Sequence, residues 1–247
     1  MVFGLFSKDR ALKRAIKKAH NKLAQSPDRW AALEKLREDG SEEALYALYK
    51  RFSITSTKLS EDEAEKEWVM QTLVGKLDMA IAPGRRYMKN ATGISYPLRV
   101  LETICTGDKA LEIIDELIDD NEPGYARDPT KKIDLLTFLA EWKGAPDEEV
   151  VKRVIPYLED HDDNVRYAAA EVIAHRPLDI AAEPLVTALI NEDEESGRFK
   201  ARIAEVLADN NMELCGQKKT ISELLKTELT DFRMQKNKLA RKAGAKK

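Results

Sequence analysis

Cysteine, glycine, proline and histidine are all scarce. The 247 residues contain two cysteines, three histidines, 11 glycines and 9 prolines. Cys105 and Cys215 form no CxxC pair and sit in separate helical stretches of the sequence. They suit neither a disulfide framework nor a thiolate metal site, and they point to a reducing compartment. Little glycine and proline argues against a sandwich of short strands. No apolar run approaches the ~18 residues of a membrane span. The apolar opening, Met1 to Phe6, is too short for a secretory core. HExxH, GxxxxGK[ST], GxGxxG and GxSxG are all missing. These gaps predict a cytoplasmic protein without a cofactor and without a catalytic constellation.

Charge is abundant. Asp, Glu, Lys and Arg make up 34% of the chain, with a net charge of −3; ~25% is ordinary. The distribution is uneven. Residues 1–25 and 231–247 are each +6, which leaves −15 for residues 26–230. With 43% hydrophobic residues the chain can bury a core.

A repeat runs through the sequence. In VVKRVIPYLEDHDDNVRYAAAEVIAHR, residues 150–176, a helix ends at Leu158, an acidic loop follows, and Asp162 or Asp163 caps a second helix. Equivalents of Arg166-Tyr167 are Arg29-Trp30, Glu67-Trp68, Pro97-Leu98, Lys132-Ile133 and Lys200-Ala201, at spacings of 38, 30, 35, 34 and 34 residues. Seven residues after the first member, every unit is apolar: Leu36, Val74, Ile104, Leu139, Ile173 and Leu207. First helices are expected near 9–24, 41–52, 82–91, 108–120, 147–159 and 179–191. Second helices are expected near 27–38, 61–79, 95–105, 129–143, 162–176 and 195–210. Ser60 to Glu63 reads as a capping box, and the polar connection 53–59 reads as mobile. Helix pairs repeating every ~34 residues cannot bury their apolar faces singly, so they stack.

The stretch LEDHDDNVRYAAAEVIA resembles a HEAT repeat, of the short bacterial kind first noted in phycobilisome lyases. The resemblance covers residues 9–210. It implies an all-α, right-handed superhelical solenoid of about six helix pairs, with the second helices lining the concave face. The chain then divides into an apolar segment 1–8, the array 9–210, and a C-terminal amphipathic helix with a basic tail over 211–247. That helix is expected over 217–243, with Ile221, Leu224, Leu225, Leu229 and Phe232 on its apolar side.

Two columns carry the candidate residues. Arg29, Lys132, Arg166 and Lys200 form a basic column. The resemblance implies an inter-repeat ladder in which each base meets an acid at the preceding turn, such as Asp160. Five residues on stand Glu34, Glu102, Glu171 and Glu205, and one residue on stand Trp30, Trp68 and Tyr167. Residues i and i+4 share a helix face. On the concave side they would form an acidic strip with aromatic anchors, suited to a protein partner with a basic segment. The acidic loop 159–163 lacks the spacing of a calcium site and reads as a cap. Phe138 and Trp142 read as core.

The reading is therefore a non-enzymatic scaffold or adaptor. A nucleic-acid-binding protein of the HEAT-like DNA-glycosylase kind is the alternative, disfavoured by the acidic body. A bilin lyase is suggested by the repeat subtype alone. Residues 1–23 could touch a membrane peripherally, because Leu12, Ile16, Ala19 and Leu23 alternate with lysines. The basic tail could fold back on the acidic strip.

Overall fold

The computed structural model describes residues 2–243, with side chains over 8–243. The side chains of Phe3, Leu5 and Phe6 and the last four residues of the basic tail lie outside the described residues. The chain is mostly helical and divides into two compact units at Asp120/Asn121. Among the described residues no helix is long and apolar enough to cross a membrane.

Unit one holds seven helices: α1 (Val2–Ala19), α2 (Ser26–Asp39), α3 (Glu42–Lys50), α4 (Leu59–Val74), α5 (Ile81–Asn90), α6 (Ser95–Ile104) and α7 (Asp108–Asp119). α1 packs on α2, α3 on α5 and α4 on α6. Local chemistry sets the boundaries. Pro27 opens α2, where its missing N–H costs nothing. Gly40 closes it in the left-handed region (φ 61°), and its N–H donates to the Leu36 carbonyl. Ser41 then caps α3, accepting from the Ala44 N–H at 3.3 Å. Leu33, Leu36, Leu48, Leu73, Leu98 and Ile114 form a fully buried core. A Cβ at Gly84 would lie 2.7 Å from the Tyr49 hydroxyl, so α5 can approach α3 this closely only with glycine there.

The connection before α4 departs from expectation. α4 begins at Leu59, and no side chain caps it at Lys58. Ser60 is not the cap, and Asp62 faces inward instead. Asp62 Oδ1 accepts from the Ser56 N–H at 2.8 Å and from Arg51 at 2.6 Å. Arg51 also donates to the Ile54 carbonyl (2.7 Å) and the Ser56 hydroxyl (3.0 Å). The polar stretch 53–59 is tied to the core at three points. A fully buried arginine must find acceptors, and this backbone supplies them.

Unit two holds α8 (Thr130–Glu141), α9 (Asp147–Val154), α10 (Asp163–His175), α11 (Ala182–Leu189), α12 (Gly197–Asp209) and α13 (Lys218–Thr227). α10 packs on α8 and α12, and α11 on α12. Asp162 is the cap of α10, accepting from Asn164 N at 2.9 Å and Val165 N at 3.3 Å. Trp142 is buried, with Phe138 half-buried beside it at 5.8 Å.

The C-terminal region is not one helix over 217–243. α13 stops at Thr227, and two strands follow, β1 (Phe232–Gln235) and β2 (Lys238–Arg241), paired antiparallel from Phe232↔Arg241 to Gln235↔Lys238. Lys236 turns the hairpin in the left-handed region (φ 59°). β2 packs on α12, and Leu229, Phe232 and Leu239 are buried. A longer helix would carry Leu229 and Phe232 along its own axis. The hairpin turns them into the unit instead.

Cys105 is buried at the end of α6. Cys215 is exposed in the connection between α12 and α13, at φ 46°, and not in a helix.

Candidate functional site

Three members of the basic column lie near the N-termini of α8, α10 and α12. Lys132 on α8 donates to Asp160 at 2.7 Å, Arg166 on α10 meets Glu194 at 2.8 Å, and Lys200 on α12 meets Glu228 at 2.8 Å. Bases at 132, 166 and 200 and acids at 160, 194 and 228 each recur every 34 residues. Each acid therefore sits 28 residues after its base, in the turn that follows the next first helix. This corrects the expected direction. Asp160 pairs with Lys132 of the unit before it. Arg166 instead donates to the backbone carbonyls of Asp160 (2.8 Å) and His161 (3.1 Å). The reason is reach: a carboxylate at the turn lies above the second helix of the preceding pair. Asp160 is almost fully buried and also accepts from the Gly124 N–H (3.0 Å) and the Asp162 N–H (2.9 Å).

In unit one, Arg29 pairs with Glu65, 36 residues on, at 2.9 Å. Glu65 is wholly buried and also takes Arg51 at 2.9 Å. Arg51 bridges to Asp62, which Lys66 meets at 2.7 Å. Burial alone would raise the Asp62 carboxyl. Hydrogen bonds from Lys66, Arg51 and the Ser56 N–H outweigh it and bring it down to about 2.

The second column reads differently from its expectation. Trp30 and Trp68, from α2 and α4, meet edge to face at 5.5 Å, and both are half-buried. Arg37 lies over the Trp68 ring at 5.6 Å and pairs with Glu34 at 2.6 Å. Tyr167 lies under Arg198, 3.8 Å from the ring centre. Glu171 pairs with Arg202 at 2.8 Å, and Glu205 pairs with Arg202 at 2.9 Å and Arg241 at 3.6 Å. Burial pulls the Arg202 guanidinium down, but Glu171 and Glu205 raise it overall. Glu102 is exposed on α6. Within each unit the glutamates expected to be bare stand among rings and arginines, and Glu34, Glu171 and Glu205 already hold a cation. Arg241 comes from the hairpin and also grips Asp209 at 2.9 Å. These two contacts resemble the expected fold-back of the basic tail, made by an ordered strand.

Four arginine or glutamate partners escaped sequence reading. Glu194 and Glu228 were findable, standing 34 and 68 residues after Asp160. Arg51 and Arg176 leave no periodic trace. Arg176 is fully buried at the end of α10 and donates to the Leu139 carbonyl at 3.1 Å and to that of Trp142, the last carbonyls of α8.

The histidines stay apart from one another. The His20 ring meets the Ala47 carbonyl at 2.8 Å, with burial lowering its basicity; His161 lies edge-on to exposed Tyr125; His175 meets the Glu171 carbonyl at 2.9 Å. Among the described residues no three His, Cys, Asp or Glu side chains cluster as metal ligands. No family model, curated protein or solved structure matches the chain.

Proposed function

We propose that the chain is a HEAT-like repeat scaffold that binds a protein partner through its second helices. The observation that carries this reading is the tryptophan pair of α2 and α4. Two half-buried indoles 5.5 Å apart, on successive second helices, make a rigid aromatic platform. Such platforms supply most of the energy of an interface, because large rings lose little freedom when they are covered. The 34-residue columns of apolar, basic and acidic residues support the repeat itself.

The charge around the platform refines the partner. Glu34 beside it already holds Arg37, so a basic segment gains little by displacing that pair. The partner engages Trp30 and Trp68 with apolar side chains and meets a rim of mixed sign.

Affinity capture with purified protein tests this. Trp30→Ala with Trp68→Ala should lower partner recovery about tenfold or more, since truncated anchors cost roughly 2 kcal/mol or more. Tyr125→Ala, an exposed aromatic outside the second helices, should leave recovery unchanged. Equal recovery with all three proteins, with helicity intact by circular dichroism, would sink the site.

A further inference from the structure

Helix α1 presents a row of exposed cations along one outer side. Arg10, Lys13, Arg14 and Lys17 follow i, i+3, i+4, i+7 spacing and therefore share one side of the helix. All four are exposed, and none of them forms an ion pair among the described residues. Lys18 alone on this helix finds an acid, Asp28, at 3.3 Å with both side chains in solvent. Several outward bases elsewhere are neutralised. Lys152 meets Glu148 at 2.7 Å, Arg153 meets Glu149 at 2.9 Å, and Arg37 and Arg202 hold the glutamates already described. Asp9 is the single acid of α1.

The opposite side of α1 is occupied. Ala15 and Ala19 are buried, Leu12 and Ile16 are half-buried, and the helix packs on α2. The apolar stripe is thus spent on the fold and is not free to insert into anything. What remains outward is a straight row of unneutralised cations about 12 Å long, at 1.5 Å rise per residue. In sequence, the residues just ahead are Val2-Phe3-Gly4-Leu5-Phe6.

We propose that α1 docks this row on an anionic lipid surface, with the headgroup phosphates and carboxylates as the ligands. A planar anionic leaflet meets all four cations of a straight row at once. Each basic residue near such a surface strengthens binding severalfold, and salt weakens it. The apolar residues that immediately precede the row in the sequence favour a bilayer over a nucleic acid, because a phosphate backbone offers apolar groups nothing to bury in. This docking uses no residue of the tryptophan platform, so the two surfaces are tested separately.

The experiment is co-sedimentation of the full chain with phosphatidylcholine vesicles, with and without phosphatidylserine, at low and high ionic strength. Wild-type protein should sediment with the anionic vesicles only, and high salt should release it. Lys13→Glu with Lys17→Glu should lower the affinity about tenfold or more. Lys218→Glu with Lys219→Glu, an equal change of net charge on exposed residues of α13, should leave it nearly unchanged. Urea midpoints for both variants verify that α1 still packs. Equal losses in the two variants would overturn the proposal, since binding would then follow net charge and not this helix. So would failure to bind anionic vesicles while a short DNA duplex is bound in a parallel anisotropy titration.

Discussion

In the second unit, the cations of the ladder are neutralised one at a time: Lys132 by Asp160, Arg166 by Glu194, Lys200 by Glu228. In the first unit, two arginines and two carboxylates share one knot, Arg29, Arg51, Asp62 and Glu65. The difference follows from spacing. Where base and acid are 28 residues apart, each rung closes on itself and is a modular part of the repeat. Where the stretch before α4 is longer, the acid falls 36 residues on. A second arginine then satisfies the extra backbone and the carboxylates together. A break in the period concentrates charge, and concentrated buried charge is cooperative.

The sharpest way to break this comparison is to remove the shared carboxylate. Glu65→Gln leaves Arg29 and Arg51 buried without their common partner and should destabilise unit one by about 3–5 kcal/mol. Urea denaturation measures it. A loss under about 1 kcal/mol would mean that the knot is no more than a set of independent pairs.

Single rungs should cost less, and unequally. Asp160→Asn removes an acceptor that serves Lys132, Gly124 and Asp162, all within 3.0 Å, for about 2–3 kcal/mol. Glu228→Gln, whose side chain is 44% exposed, should cost less than about 1 kcal/mol. If the two variants melt alike, burial is not what grades the ladder.

Acid distinguishes the units most gently. Asp62 lies at about 2 in the fold against 3.8 unperturbed. A lowered carboxylate stabilises the fold above the unfolded value and loses that contribution as pH falls toward the folded one. The effect is about 2 kcal/mol, lost between about pH 4 and pH 2. Asp62→Asn should flatten the pH dependence of the denaturation midpoint over that interval. A wild-type slope in the variant would place the acid sensitivity elsewhere.

Much of the helical order was legible in advance. The apolar column from Leu36 to Leu207 falls on α2, α4, α6, α8, α10 and α12, because an apolar residue on the packed side of a helix is legible in the sequence. Asp162 as a cap and Pro27 as a helix start were legible because both act on their own backbone. Illegible were interactions whose partners lie at no fixed offset. Asp62 looks like a residue of a helix start. It became a core acid because Arg51 sits beside it after folding. The C-terminal region carried a weak sign, since Phe232-Arg233-Met234-Gln235 alternates apolar and polar. Its leucines matched a helix equally well, and Lys236-Asn237 is not a strong turn pair.

What the sequence determined alone is whatever its period and its local chemistry specify: helix, alternation, cap, and the presence of a base at every 34th residue in the second unit. Only the tertiary structure decided which acid each base meets, that three glutamates of the aromatic column are already neutralised, and that Arg10, Lys13, Arg14 and Lys17 of α1 find no acid among the described residues. The physical reason is common to all three. A charge has no partner until folding sets the distance, and Coulomb attraction over a few ångströms depends on that distance and on burial, neither of which is written in the order of residues.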